Sequence, residues 1–204
     1  MFTVVALAVF LAAPPIELTI HSSDSVIGSA RITQKLTESG GLKVEIRMQL
    51  VAGDVKITVV QEGEYDSDAR PVRKTSRQSG GGPELIVRAT FLGRTATVVT
   101  ERGRERETRT VTAPAGAEIR LASEFWFIKT KPEPGTKLTA YRFDLTKLEW
   151  VKTTVTYVRS EKVNAGGKTY TGHLILMDDA KSWVDDKGAP IRIEMRGIRF
   201  ERKP

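Results

Sequence analysis

Residues 42–50 read Leu-Lys-Val-Glu-Ile-Arg-Met-Gln-Leu, and the reading of this stretch decides the fold class. Apolar side chains stand at every even position and polar ones at every odd position. A period of two puts the first set on one face of a strand and the second on the other. A strand with one wet face points to antiparallel pairing, because parallel sheets bury both faces.

Working outward, Ser39-Gly40-Gly41 supplies a turn, so residues 28–37 are expected to form a hairpin with 42–51. Upstream, Ile16, Leu18 and Ile20 alternate with Glu17, Thr19 and His21. Downstream, Val51-Ala52-Gly53-Asp54 reverses the chain into a strand begun by Val55, Ile57 and Val59. The meander continues through 71–78, 84–92 and 94–101, broken by Gly80-Gly81-Gly82-Pro83 and Gly93. After a joint at 112–137 the pattern resumes at 138–143, 148–161, 168–177, 181–185 and 190–201. About ten or eleven strands result, with no room for serial strand–helix–strand crossovers. Residues 16–204 therefore read as one β-rich domain, or two similar halves meeting at the joint. An internal echo supports the halves: Tyr65-Asp66-Ser67-Asp68-Ala69-Arg70-Pro71-Val72-Arg73 resembles Val184-Asp185-Asp186-Lys187-Gly188-Ala189-Pro190-Ile191-Arg192.

The joint holds the one helical candidate of residues 16–204, Ile119 to Lys129, stopped by Pro132 and Pro134. It contains Phe125-Trp126-Phe127-Ile128. Three consecutive aromatics cannot all face one interior, so they are the candidate ligand-contacting or capping residues: Phe125, Trp126 and Phe127.

Composition closes off several classes of chemistry. The 204 residues contain no cysteine, which excludes disulfides, a thiol nucleophile and thiolate metal sites. The two histidines, His21 and His173, cannot build a three-histidine metal site and sit in no catalytic motif. Asp178-Asp179 and Asp185-Asp186 read as turn residues. No metal or cofactor is expected. The net charge of +7 is spread along the chain. In residues 101–109 Arg102, Arg104 and Arg106 are expected to share one strand face, opposed by Glu101, Glu105 and Glu107. Such mixed charge suits a solvated hairpin arm and not a surface that tracks phosphates, so no nucleic acid is expected as a partner. Met1 to Ala13 is uncharged and mostly apolar. At 13 residues it is short of the roughly 20 needed to span a bilayer. It reads as the remnant of a secretory signal, with export to the periplasm or beyond and no stable transmembrane segment.

Several local signatures together resemble a family of bacterial envelope proteins of unknown function. They are Val26-Ile27-Gly28, Tyr65-Asp66-x-Asp68-x-Arg70-Pro71, Pro134-Gly135-Thr136-Lys137-Leu138, Gly166-Gly167-Lys168-Thr169 and Trp183-Val184-Asp185-Asp186-x-Gly188-x-Pro190. Members carry signal peptides, and related stretches precede transglutaminase-like domains. The resemblance implies the curved half-barrel of periplasmic lipoprotein and lipid carriers, and it carries over no catalytic residue.

Pattern and resemblance together give a mainly β protein: a strongly curved antiparallel sheet or half-barrel, with a short helix from the 117–130 region on its concave side. The function expected is non-enzymatic, the binding of a lipid-like or apolar ligand in that concavity. Partners would be a lipid or lipoprotein, or another envelope protein if the domain is instead a scaffold. A hydrolytic enzyme is the third reading.

Overall fold

The alternation at 42–50 is realised as a strand of eleven residues, Leu42–Ala52. A computed structural model describes residues 14–23, 25–120, 126–127 and 130–204 of the chain. Its strands are β1 (Ile16–Ser22), β2 (Ser25–Leu36), β3 (Leu42–Ala52), β4 (Val55–Tyr65), β5 (Pro71–Ser79), β6 (Leu85–Leu92), β7 (Thr95–Arg102) and β8 (Glu105–Thr112). After the joint come β9 (Lys137–Asp144), β10 (Glu149–Ala165), β11 (Lys168–Met177), β12 (Ala180–Val184), β13 (Pro190–Met195) and β14 (Ile198–Arg202).

All fourteen strands belong to one antiparallel sheet, in the order β8 back to β1, then β14 back to β9. Each hydrogen-bonded neighbour is also the neighbour in sequence, except at the central β1–β14 pair. There Leu18 lies opposite Arg202 and Ile20 opposite Phe200, and the Lys203 N–H donates to the Glu17 carbonyl at 2.9 Å. The internal echo has a structural counterpart at the fourth turn of each run. The Asp66 carboxylate accepts from the N–H groups of Asp68 and Arg70, and the Asp185 carboxylate from those of Lys187 and Ala189. A bulge follows in both hairpins, leaving Tyr65 opposite Pro71 and Val184 opposite Pro190.

Cross-strand partners share a face of a sheet, so the register traces one continuous inner face. It carries Leu18, Ala30, Met48 and Val59 in one row, and Ile20, Phe200, Ile193, Ser182, Ile175 and Tyr157 in another. Followed to its ends, this face reaches Ala89 and Val98 on β6 and β7, and Val155 on β10. Phe143 and Trp150 have the opposite parity to Val155, yet they pack against Val87, Ala89, Ala96 and Val98. The inner face of β6–β7 thus lies on the outer face of β9–β10. The sheet is an open half-barrel whose two free ends overlap. Lys74 donates to the Phe143 carbonyl at 3.1 Å, the Trp150 indole to Val111 at 3.2 Å, and Arg109 to Leu148, tying the overlap together.

Three expectations are corrected. The described residues form fourteen strands and not about ten or eleven; among the additions, 190–201 is split by a tight turn at Arg196 and Gly197, both with positive φ (50° and 78°), and the charged arm supplies β8. Arg102, Arg104 and Arg106 do not share a face. Gly103 and Arg104 form the turn, so Arg102 pairs with Glu105 and Arg106 with Glu101 across the hairpin. The start of the helical candidate is extended: Ile119 bridges Tyr141 in parallel fashion, and the Tyr141 N–H donates to the Glu118 carbonyl at 2.7 Å, covering part of the free edge of β9.

Candidate functional site

The hollow of the half-barrel has two unlike regions. Over β9–β12 it is filled. Trp126 and Phe127 are helical and buried, 8% and 6% exposed, against Ala140, Val155, Tyr157, Ile175 and Val184. Thr130 holds the turn by donating its hydroxyl to the Trp126 carbonyl at 2.7 Å, and the Lys131 N–H reaches Phe127 at 3.0 Å. Phe125 lies outside the described residues.

Beneath this plug runs a polar chain that sequence reading missed. The Tyr157 hydroxyl is 3.0 Å from His173 Nδ1, and His173 Nε2 is 2.7 Å from an Asp186 carboxylate oxygen. The Phe127 ring lies 5.4 Å from that of Tyr157 and 4.7 Å from the His173 imidazole, centroid to centroid. Burial, then the charges of Glu133 and Asp186, push the Tyr157 phenol above its ordinary range, so it stays a neutral hydrogen-bonding group. Asp186 is almost wholly exposed, so the chain runs from the interior to solvent. It ties β10 and β11 to the β12–β13 turn, and Phe127 of the plug rests on its two rings. Alternation placed His173 on a strand face, but the meeting with Tyr157 depends on β10–β11 register, interrupted by a bulge between Tyr157 and Arg159.

Over β1–β4 and β13–β14 the inner face is apolar and half-open. Leu18 and Ile20 are buried, whereas Ile46, Met48, Leu50, Ile57, Val59, Ile198 and Phe200 keep part of their surface accessible. At its far side Lys74 projects inward beside Gly63, where Tyr65 folds back: a Cβ on Gly63 would lie 2.7 Å from the Tyr65 ring. Burial, followed by the nearby Arg142 charge, lowers the Lys74 ammonium to about 8.

The remaining candidates are accounted for by pairing. Asp178 meets Thr153 and Arg142, Asp179 meets Arg196, and Asp185 meets Arg202. Trp183 donates to Glu161 at 2.7 Å under the Arg192 guanidinium, and Trp150 packs edge-on against Phe91 and Phe143. His21 faces Glu201 at 3.7 Å. No helix among the described residues is long and apolar enough to cross a membrane.

No family model matches the chain. No curated protein matches it either. Among solved structures it is similar to a β-barrel-like protein of domain of unknown function DUF1849 from Brucella abortus, with a TM-score of 0.63 and 12% identity over 93% of both chains. That likeness is one of fold: a β-rich architecture of unknown function.

Proposed function

We propose that the protein is a non-enzymatic binding module that takes up a lipid-like, largely apolar molecule in the open part of its hollow. The observation that carries this reading is the half-open apolar field of Ile46, Met48, Leu50, Ile57, Val59, Ile198 and Phe200 on the concave face, beside a region already filled by Trp126 and Phe127. Apolar side chains held in a concavity with water on one side gain free energy from any apolar occupant. The plug residues Trp126 and Phe127 border the proposed ligand and cap it. The uncharged Met1–Ala13 stretch supports placing this activity in the cell envelope, in the family of exported β proteins that the sequence resembles.

Delipidated protein is incubated with a total lipid extract, re-isolated, and analysed by mass spectrometry. Acyl-chain lipids retained in stoichiometric amount are expected. Retention of none refutes the reading and favours a scaffold that binds another envelope protein.

A further inference from the structure

One strand of the concave face breaks its apolar character. From Arg73 to Ser79, β5 carries no apolar side chain on either face, although it lies between β4 with Ile57 and Val59 and β6 with Leu85, Val87 and Ala89. Its inward residues are Lys74, Ser76 and Gln78, and Ser76 lies directly opposite inward-facing Gln61 on β4. Gln61 in turn lies opposite Ile46, and Ser76 opposite Val87. A polar stripe therefore crosses the hollow between two apolar fields. Among the described residues no hydrogen-bond partner serves the side chains of Gln61, Ser76 or Gln78.

A pure hydrocarbon laid over this stripe would strip water from an amide and a hydroxyl and give nothing back, which disfavours such an occupant. We infer that the occupant of the hollow is a neutral amphiphile, an acyl chain carrying an ester, amide or hydroxyl group, with its chain on the β1–β3 field and its polar group on Gln61, Ser76 and Gln78. The inference rests on the lipid-binding reading above and narrows it. Neutrality follows from the charges nearby. The one cation of the stripe, Lys74, is already spent on the Phe143 carbonyl and the Tyr65 ring. Arg102, two strands beyond Gln78 in the same row, stands opposite Glu105. Lys74 is therefore no free counter-charge for a phosphate on the stripe, and Arg102 lies two strands away from it, across from a carboxylate. Amide and hydroxyl groups, in contrast, both donate and accept, as a neutral ester or alcohol requires.

The test uses the full chain and the fluorescent apolar probe 1-N-phenylnaphthylamine, displaced by monooleoylglycerol or by 1-oleoyl lysophosphatidate, which share a chain and differ in charge. Monooleoylglycerol is expected to displace the probe at a concentration about tenfold lower, the worth of one or two neutral hydrogen bonds. The variant Gln61→Leu/Ser76→Ala is expected to lose that preference, so that the two lipids displace the probe at equal concentrations. Equal displacement, a preference for lysophosphatidate, or a preference that survives the double substitution overturns the inference and leaves the lipid-binding reading standing. Failure of probe and both lipids to bind overturns the reading beneath it. If the variant does not fold, the preference of the unaltered protein decides alone.

Discussion

The indole of Trp150 donates its N–H to the backbone carbonyl of Val111, 39 residues earlier, and that bond joins the two ends of the rolled sheet. No ladder of backbone bonds links β8 to β9 or β10, so the overlap depends on side chains. Trp150→Phe keeps the ring packing with Phe91 and Phe143 and removes the bond, with an expected loss of about 1 kcal/mol. Trp150→Ala also removes the ring contact, with a loss of about 3 kcal/mol or more. Urea denaturation of both variants checks the order: equal losses would show that the ring contact contributes nothing, and an unchanged Trp150→Phe that the bond contributes nothing.

The paired turns allow an internal comparison. Asp66 and Asp185 each bind two backbone N–H groups, but Asp185 also pairs with the half-buried Arg202 at 3.0 Å. Asp66→Ala should cost about 1 kcal/mol, and Asp185→Ala about 2–3 kcal/mol. Adding Arg202→Ala to each measures the difference: it should couple to Asp185 and not to Asp66.

Lys74 makes stability depend on alkaline pH in a defined direction. Its ammonium is lowered to about 8 in the folded chain from an ordinary 10.5. Below about 8 both states are protonated and folding bears the whole penalty, at most roughly 3 kcal/mol. Between about 8 and 10.5 the unfolded chain holds the extra proton, so this contribution to stability rises with pH. Lys74→Met should therefore be more stable than the unaltered protein at pH 7, with the gap closing toward pH 10.5. A gap constant across that range in thermal melts would contradict the assignment.

Trp126 tests whether the plug is structural. Buried against Val155 and Tyr157, it should cost about 3–5 kcal/mol as Trp126→Ala, more than Trp183→Ala, whose ring is half-exposed under Arg192. A melting temperature unchanged in Trp126→Ala, with lipid uptake reduced, would instead mark the segment as a mobile lid.

What could be read in advance was local. The alternation at 42–50, the Gly166-Gly167 turn with both φ positive, and the acidic turns at 66 and 185 are each encoded within a few residues. Arg196 escaped notice because a charged residue with φ of 50° carries no turn signature. The sequence of β8 marks only a solvated arm, because neither face is apolar; the strand sits at the sheet edge, where charged side chains discourage pairing with other chains. The Tyr157–His173–Asp186 chain and the overlap of Phe143 with Val98 depend on register accumulated over many strands, and no short stretch of sequence contains that information.

The strand order carries a consequence for chain connectivity. Taken from β9 through β14 and on from β1 to β8, it is an unbroken meander; the chain instead runs on from β8 at one sheet edge to β9 at the other, which makes β1 and β14 meet in the middle. Lys203 already touches Glu17 there. A circular permutant opened in the 112–117 segment, with a short link from residue 204 to residue 15, would retain Trp126 and Phe127 ahead of β9 and make every strand pairing sequential. Its relative contact order would fall, so it should refold faster than the parent while keeping the same hollow. The parent must instead wait for two independently formed meanders to find one another through β1 and β14.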